Sequence, residues 1–406
     1  MKIGIFTDYY LPRLGGTETS IFHQYMALTR AGHEVTIVTA HCEGSGAVDT
    51  HKRDIVAIRG CGGLAYKGQA IVLPTRSAWK HVNNLTFDVV HAQTEFGVGM
   101  LAVRYARTFH VPLIYTAHTF HSAGIEMMTR FSGTAVFGFE FQRWLSHIRL
   151  APFSSTSHAS TAGITHATRA ARRMRQFWLS FAASSDYIIA PSTRMKDYVS
   201  HYLPNHRLAT ISNPFEVNAR PHHSARVIRC VVIGRLSAEK RVAVAVKAFT
   251  LLPTSLRAKI RLDIYGDGPE RQRLESLAGD AAHISFHGNV AYRQIHQRLS
   301  SADILIHPSL GFDNQPMVIA EAVSHGLGIV YCDAFLREGL NHQNSRQFDG
   351  TAPDLAQVLA SVAKQTSLAT MRQASLRASR EFRYEQFTQN YQAILDEVAA
   401  GRYTKA

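Results

Sequence analysis

Cysteine is scarce in this sequence, which has four cysteines among 406 residues. They show no CxxC spacing and no pairing with histidine, so neither a zinc-binding module nor a disulfide framework is indicated. Isolated cysteines are typical of free thiols in a reducing compartment. The cysteines are Cys42, Cys61, Cys230 and Cys332.

Long apolar runs are also missing. The apolar runs extend over five to eight residues, whereas a helix that crosses a bilayer needs about 20. The first residues, MKIGIFTDYY, contain one lysine and then a strand-like run, without a small-residue cleavage site. We therefore expect neither a membrane span nor a signal peptide, and we expect a cytoplasmic protein.

Acidic residues are few relative to basic ones. The 44 lysines and arginines outnumber the 30 aspartates and glutamates, which gives a net charge of +14. Such an excess favours an anionic partner, which could be phosphate, anionic lipid or nucleic acid. No base-reading motif accompanies the charge, so a nucleic-acid partner is not expected.

Short β-rich runs alternate with helical stretches along most of the chain, and the 46% of hydrophobic residues suffice for large cores. The alternation restarts at RVIRCVVIG, after a stretch at 209–226 that is rich in Pro, Asn and His. Such alternation predicts parallel sheets covered by helices on both faces. The sequence therefore predicts an α/β protein with two doubly wound domains, 1–214 and 215–383. Ligands of such sheets bind at the carboxyl ends of the strands.

A glycine pair, Gly15 and Gly16, separates the first predicted strand from the first predicted helix. We expect Thr17 to cap this helix and Gly32 to end it. Paired glycines allow the backbone to approach a ligand closely, and a helix N-terminus offers N–H groups. The segment is not a GxGxxG fingerprint, and a simple turn is the alternative.

Two cations follow the first strand of the second domain, in GRLSAEKR. Arg235 and Lys240 lie five residues apart in a strand-end loop, where they could bind a diphosphate and stabilise the charge that builds up as it departs. The alternative is a solvated basic turn. The later stretch YGDGPE, residues 265–270, is interpreted as a turn that its glycines permit.

The segment GFDNQPMVIAE carries two acids, Asp313 and Glu321, on either side of a predicted helix start. Pro316 fits the first helical position, so the N–H groups of Met317 and Val318 could meet a phosphate. Each carboxylate could accept hydrogen bonds from two hydroxyl groups, as a sugar or a ribose would offer. A metal pair is less favoured, because no histidine or third acid is nearby.

His118 lies at the end of a buried strand, in YTAHTFH. Its position predicts that the side chain points from the sheet edge towards a ligand, although a lone histidine is often only a satisfied polar residue.

Residues 122–180 are too long for a simple crossover between strands. Their second part places basic residues beside bulky apolar ones, which suits an interfacial helix on anionic lipid. The alternative is a surface helix whose apolar side faces the core. The basic residues are Arg169, Arg172, Arg173 and Arg175, and the apolar ones are Met174, Phe177, Trp178 and Leu179.

Taken together, these motifs resemble the retaining glycosyltransferases of family four. The N-terminal GG loop, HTFH, GRLSAEKR, YGDGPE, HGNV and the acid–seven–acid segment before AVSHGLGIVYCD recur in this order over nearly the whole chain. The resemblance implies a GT-B fold, in which two Rossmann-like domains face each other across a cleft. It also implies that the final helix, 384–406, returns to the N-terminal, acceptor-binding domain, and that 215–383 binds the donor.

The resemblance also implies roles for single residues. Arg235 and Lys240 match the basic pair that grips the donor diphosphate, and Glu321 matches the glutamate that holds the donor ribose. Asp313 stands where the family usually has a glutamate near the transferred sugar, so the reach is one methylene shorter. Pro316 stands where a glycine is common.

In the first domain, Gly16 matches the loop glycine that packs close to the donor, and His118 matches a histidine beside the reacting sugar. The family implies a nucleoside diphosphate sugar as donor, here expected to be UDP-linked, with no bound metal or other cofactor. The anomeric configuration of the donor is retained.

The stretch HAQTEFGVGMLAVRYARTFHVPLIYTAHT is most similar to bacterial enzymes that glucosylate diacylglycerol. This similarity implies a hexosyltransferase that acts on a lipid at the cytoplasmic face of the membrane, with the segment 122–180 on the anionic surface. The alternatives are a soluble, polysaccharide or protein-linked glycan acceptor, and a non-catalytic partner subunit. Intact Arg235, Lys240 and Glu321 argue against the partner subunit.

Overall fold

The structure is a computed structural model, and it divides the chain into two compact units. The first unit comprises Met1–Pro214 with Tyr384–Ala406, and the second comprises Phe215–Arg383. The residues that the structure describes are 1–11, 15–41, 54–60, 65–66, 69–120, 148–152, 168–216, 227–363 and 365–403.

The first unit is built on a parallel sheet with the strand order β3-β2-β1-β6-β7-β8-β9. Its strands are β1 (Lys2–Thr7), β2 (Glu34–Ala40), β3 (Ile55–Ile58), β6 (Val89–Ala92), β7 (Leu113–Thr116), β8 (Tyr187–Ala190) and β9 (Leu208–Thr210), and a separate hairpin pairs β4 (Ala65–Tyr66) with β5 (Gln69–Ala70). Its first helices are α1 (Gly16–Arg30), α2 (Arg76–Trp79), α3 (Gly97–Phe109), α4 (Arg169–Ala182) and α5 (Thr193–Tyr202).

The second unit has a parallel sheet with the order β12-β11-β10-β13-β14-β15. The strands are β10 (Ile228–Ile233), β11 (Ile260–Tyr265), β12 (Ile284–Gly288), β13 (Ile304–His307), β14 (Gly328–Tyr331) and β15 (Ser345–Gln347). The helices are α6 (Val242–Leu251), α7 (Thr254–Arg257), α8 (Arg271–Ala278), α9 (Tyr292–Ser300), α10 (Met317–Ser324), α11 (Ala352–Val362) and α12 (Gln365–Ala378), and 3-10 turns occupy Ala238–Lys240 and Ser379–Phe382.

The last helix, α13 (Tyr384–Tyr403), belongs to the first unit. Its Tyr391 and Leu395 are buried in the same hydrophobic cluster as Ile5 of β1 and Leu28 of α1. Because these apolar side chains are buried against β1 and α1, α13 completes the core of the first unit.

In both sheets the strand order reverses beside the first strand. β1 lies between β2 and β6, and β10 lies between β11 and β13. Every residue of β6, β7, β8 and β13 is buried, which accounts for the continuous apolar runs in the sequence. Open α/β sheets bind ligands outside the carboxyl ends of the strands at such reversals.

The ends of α1 show one prediction confirmed and one wrong. Gly32 follows the C-cap Ala31 with φ 87°, as predicted for a helix-ending glycine. The N-cap is Gly15 rather than Thr17, and no side chain caps the helix. The backbone is extended at Gly15 and the helix begins directly after it, so Thr17 falls inside the first turn.

Helix α4 turns its apolar side to the core rather than to a surface. Met174 and Trp178 are buried, and so is Arg175, which is 2% exposed. The Arg175 guanidinium donates to the Tyr202 hydroxyl at 3.0 Å and lies 5.0 Å from the Tyr202 ring centroid. Within the described part of the segment, α4 therefore corresponds to the core-facing surface helix.

The remaining parts of the predicted membrane segment, 122–147 and 153–167, lie outside the described residues. Arg169 and Arg173 are exposed on α4, and Arg172 is half-buried. No helix among the described residues is both long enough and apolar enough to cross a bilayer.

Two of the four cysteines can be described. Cys230 and Cys332 are free thiols and buried, and burial raises the pKa of Cys332 to about 11. Cys42 and Cys61 lie outside the described residues. The described thiols are therefore protonated and poor nucleophiles at neutral pH.

Candidate active site

The loop after β10 packs directly on the loop after β11. A Cβ atom at Gly266 would lie 1.9 Å from the carbonyl oxygen of Gly234, and one at Gly268 would lie 2.3 Å from that of Leu236. Gly266 also has φ 136°, which disfavours other residues. The interpretation of 265–270 as a turn that requires glycine is therefore confirmed.

Lys240 and Asp313 meet at the carboxyl ends of two neighbouring strands, β10 and β13. The Lys240 ammonium donates to Asp313 Oδ1 at 2.7 Å, and the two side chains are 25% and 11% exposed. Lys240 also lies 5.7 Å from the ring centroid of Phe312. Arg235 lies in the same loop as Lys240 and is exposed, so its guanidinium is accessible to an anion.

The next residue, Arg241, anchors the loop after β10 to the segment before α11. It has φ 51°, and its guanidinium donates to the carbonyl oxygen of Gly350 at 2.8 Å and lies 3.5 Å from Cys332 Sγ. The three cations of this segment therefore differ in their contacts: Arg241 bonds to the carbonyl oxygen of Gly350, Lys240 pairs with Asp313, and Arg235 is exposed.

Asp313 has a second side-chain neighbour, His307, that the sequence interpretation missed. His307, the buried last residue of β13, places Nε2 3.1 Å from Asp313 Oδ2. Burial by itself raises the pKa of Asp313, but the Lys240 ammonium and the His307 imidazole outweigh it and hold that pKa well below its usual range. Asp313 is therefore ionised at any physiological pH.

The assumption that no histidine lies near the acid pair was wrong, because His307 contacts Asp313. A polar residue at the end of an apolar strand was the available signal. Within the described ranges, no group of three histidine, cysteine, aspartate or glutamate side chains is arranged to hold a metal ion.

Helix α10 begins one residue later than predicted. Pro316 is the N-cap, with φ −70° and ψ 115°, and Met317 is the first helical residue. The N–H of Ile319 already bonds to the carbonyl oxygen of Pro316 at 3.0 Å. The N–H groups of Met317 and Val318 lie in the first turn, where the helix itself offers no acceptor, so they can face an anion.

Glu321 is buried one turn further along α10. It is 6% exposed, and burial raises its pKa to about 7. The Tyr292 hydroxyl, from the first residue of α9, lies 3.4 Å from Glu321 Oε1, and its hydrogen bond partly opposes this rise in the pKa. No sequence pattern pointed to Tyr292, because its approach to Glu321 depends on how α9 packs. A buried carboxyl group that is only half ionised near neutral pH is poised to gain hydrogen bonds from a ligand.

The exit loop of β13 is tied to the loop that follows β14. Asp333 is buried and accepts from the N–H of Gly311 at 2.8 Å and from that of Phe335 at 3.0 Å. Gly311 has φ 77°, so a side chain there would be strained. These bonds fix the path of the loop that carries Asp313.

In the first unit, Gly15 and Gly16 lie at the start of α1, as predicted. A Cβ atom at Gly15 would lie 2.4 Å from Glu18 Oε2, so the carboxylate occupies the space beside the glycine. The preceding residues, 12–14, lie outside the described part of the chain.

His118 follows β7 by two residues and is half-buried. Its Nε2 lies 2.6 Å from Oε1 of Gln93, which follows the adjacent strand β6. Gln93 was not identified from the sequence. The predicted site residues thus fall into two groups. Gly15, Gly16 and His118 lie in the first unit, and Arg235, Lys240, Asp313, Met317, Val318 and Glu321 lie in the second.

The chain matches two known families over successive ranges. Residues 14–219 match Glycosyltransferase Family 4, and residues 228–365 match Glycosyl transferases group 1. The first match covers about half of the chain, and the two ranges correspond to the two α/β units.

Two curated relatives and one solved structure illustrate the similarity. Alpha-monoglucosyldiacylglycerol synthase of Acholeplasma laidlawii is 24% identical over 84% of each chain. GDP-mannose-dependent alpha-mannosyltransferase of Corynebacterium glutamicum is 22% identical over 80% of this chain and 71% of its own. HepE of Anabaena, solved in complex with UDP and glucose, superposes with a TM-score of 0.67 at 16% identity, over 98% of this chain and 100% of its own.

Proposed function

Because the chain belongs to glycosyltransferase family 4, we propose that it transfers a hexose from a UDP-linked sugar to a hydroxyl group of a membrane lipid. The acceptor is diacylglycerol or a glycolipid, and the anomeric configuration of the sugar is retained. The fold is GT-B, with two Rossmann-like domains. The solved structure of HepE has the same fold and superposes on 98% of this chain. The observation that carries the proposal is the Lys240–Asp313 pair at the carboxyl edge of the second sheet.

We assign the donor diphosphate to Lys240 and Arg235. Lys240 offers a compact ammonium and Arg235 an exposed, planar guanidinium in the same loop, so the two complement a diphosphate. The first-turn N–H groups of Met317 and Val318 add a positive helix end. These groups neutralise the charge that grows on the leaving diphosphate, so no step of the proposal requires a metal ion or another cofactor.

We assign Asp313 to the transferred sugar. In the free protein its carboxylate is balanced by Lys240 and His307. When a diphosphate binds, Lys240 gains a second anion, and the ionised Asp313 can accept hydrogen bonds from sugar hydroxyl groups. Asp313 therefore positions the sugar. In the first unit, His118 is proposed to contact the reacting sugar, and Gly15 and Gly16, at the start of α1, are proposed to contact the donor.

We assign Glu321 to the ribose of the nucleotide. Its carboxylate can accept hydrogen bonds from both ribose hydroxyl groups, which replace some of the solvation that burial removes. Ionisation of Glu321 and binding of the nucleotide then favour each other, because its pKa lies near 7 without ligand.

The lipid acceptor is supported by the relative from Acholeplasma laidlawii, whose name states that it makes a monoglucosyldiacylglycerol and which aligns over 84% of each chain. The exposed Arg169 and Arg173 and the net charge of +14 suit an anionic membrane surface on the cytoplasmic side. The name of the mannosyltransferase relative states a GDP-mannose donor, so GDP-mannose is the second candidate donor. The second candidate acceptor is a soluble, polysaccharide or protein-linked glycan.

A transfer assay tests the proposal. The protein is incubated with UDP-glucose, UDP-galactose and GDP-mannose, each with diacylglycerol vesicles, a glycolipid or a soluble glycan. We expect transfer from a UDP-sugar to a lipid, and undiminished transfer in the presence of a chelator. Transfer to the soluble glycan alone would favour the second candidate. Nucleotide binding with no transfer in any combination would instead identify a non-catalytic partner subunit.

A further inference from the structure

Behind His118, the first unit contains a continuous set of buried polar side chains. Gln93 is 1% exposed, and its Nε2 donates to Gln24 Oε1 at 2.8 Å. Gln24 donates in turn to Ser20 Oγ at 3.0 Å and to Asn213 Oδ1 at 3.3 Å. Three parts of the fold thus contribute: the end of β6, one face of α1, and the chain just before Pro214. Burying polar side chains destabilises a fold unless they form hydrogen bonds, and these side chains form hydrogen bonds with one another.

The hydrogen bonds determine which amide atom of Gln24 and of Gln93 is the donor and which is the acceptor. Asn213 Oδ1 accepts from Ser20 Oγ at 2.6 Å and from Gln24 Nε2. Gln24 must therefore turn its oxygen towards Gln93, and Gln93 must turn its nitrogen towards Gln24. The Oε1 atom of Gln93 is left facing His118, 2.6 Å from Nε2. An amide oxygen can only accept, so His118 Nε2 carries the proton and donates.

We propose that Gln93 is a positioning residue for His118, and that Gln24 locks Gln93 in the required amide orientation. This inference rests on the proposed function, in which His118 lies beside the transferred sugar. Gln93 sets the ring orientation and holds a proton on Nε2, the nitrogen that faces the Gln93 amide oxygen.

Burial gives this arrangement its rigidity. His91, fully buried on β6, places Nε2 3.1 Å from Gln93 Nε2 and 2.7 Å from the Thr116 hydroxyl. The backbone N–H of Gln93 bonds to the carbonyl oxygen of Phe6 at 2.8 Å. Gln93 is therefore held at its backbone and at both amide atoms, and a group held in this way positions its neighbour to within a fraction of an ångström.

The test uses Gln93→Met, which keeps the length of the side chain and removes the amide oxygen and the amide nitrogen. We expect kcat for sugar transfer to fall about 10- to 100-fold, while KM for the donor changes less than about twofold. In ¹⁵N-histidine-labelled protein, assigned with His118→Asn, the His118 nitrogens should shift from the Nε2–H tautomer to a mixture. Unchanged His118 nitrogen shifts in Gln93→Met would overturn the proposal.

A second variant and a control separate positioning from stability. Gln24→Met leaves Gln93 in place but removes its restraint, and we expect a smaller change of the same kind in the His118 signals. Ser192→Ala removes a buried hydroxyl that caps α5 at 3.1 Å. It should lower the melting temperature without changing kcat or the His118 signals, and an equal loss of kcat would overturn the positioning role.

The nitrogen shifts are measured without substrate, so they decide the Gln93–His118 assignment whether or not sugar transfer is found. Absence of transfer by the wild-type protein would overturn the proposed function instead. The two failures are therefore distinguishable.

Discussion

Lys240 and Asp313 form an ion pair with 2.7 Å between Nζ and Oδ1, and His307 contacts the other oxygen of the same carboxylate at 3.1 Å. The Asp313 carboxylate thus contacts two side chains, the Lys240 ammonium and the His307 imidazole. A bound diphosphate would compete for Lys240 and leave Asp313 with His307. Under the proposed function, the pair couples binding of the donor to the orientation of the Asp313 carboxylate.

The first prediction concerns the cation of this pair. Lys240→Ala should lower kcat/KM for the nucleotide sugar by about 10² to 10³, because a charge on the leaving diphosphate loses its partner in a partly buried site. Steady-state transfer rates measure this loss. Lys247→Ala is the matched control, because Lys247 is an exposed lysine on α6. Near wild-type kcat/KM in Lys240→Ala would remove Lys240 from the donor site.

The second prediction concerns the carboxylate. Asp313→Asn leaves Lys240 and His307 without their anion, and we expect the free energy of unfolding at pH 7 to fall by about 3 kcal/mol. Because the folded-state pKa of Asp313 is lowered, its stabilisation is present above the unfolded pKa and is lost as pH falls. Denaturant titrations between pH 3 and 7 should therefore show a weaker pH dependence in the variant than in the wild type.

Asp313→Glu is the companion of that variant, since it keeps the charge and adds one methylene. We expect it to retain most of the stability and to bind UDP as the wild type does. A stability loss in Asp313→Glu as large as that in Asp313→Asn would show that shape, rather than charge, decides the role of this residue.

The third prediction follows from the raised pKa of Glu321, about 7. Ribose hydroxyl groups stabilise the carboxylate, so the bound state has the lower pKa and binding releases a proton. Affinity for UDP should therefore rise from pH 5.5 to pH 8, by close to tenfold if binding lowers the pKa by one unit. Isothermal titration calorimetry in buffers of different ionisation enthalpy measures both quantities. Glu321→Gln should bind UDP weakly and without this pH dependence, and a pH dependence as steep as that of the wild type would exclude Glu321 as its source.

The fourth prediction concerns the membrane. Charge reversal at Arg169 and Arg173, which are exposed on α4, should release the protein from vesicles that contain anionic lipid. Vesicle flotation at low and physiological salt measures the binding. Arg175 is left unchanged, since it is buried and its reversal would test folding instead.

The control for the membrane experiment reverses the exposed Lys247 and Arg293 of the second unit, which gives the same change in net charge. Equal loss of binding in both double variants would indicate a non-specific effect of charge. Unchanged binding in the Arg169 and Arg173 variant would exclude α4 as the contact surface.

Much of the fold could be predicted, because buried parallel strands correspond to short apolar runs in the sequence. β1, β7 and β10 fall where the sequence indicated strands. Strand-end loops then indicated Lys240 and Asp313. The start of α1 was misplaced, because Thr17 is a good capping residue by type, whereas the extended backbone at Gly15 decides where the helix begins.

The supporting contacts could not be predicted, because they depend on packing between elements distant in the sequence. His307 reaches Asp313 across a turn, Tyr292 reaches Glu321 from another helix, and Gln93 reaches His118 from the adjacent strand. The apolar residues of α4 suggested a membrane face, although the same pattern equally describes a helix that lies on a core. Only the position of the neighbouring elements decides between these outcomes.

The place of α13 in the first unit has a consequence for how the chain is made. Tyr391 is completely buried, and its hydroxyl lies 3.1 Å from Nδ1 of His91 in the middle of the first sheet. The hydroxyl of Tyr384, the first residue of α13, lies 2.5 Å from Nδ1 of His23 in α1. The ribosome nevertheless synthesises α13 after the whole second unit. During translation, the second unit can complete its core while the first still lacks a helix, so the part of the protein that begins first is the part that finishes last.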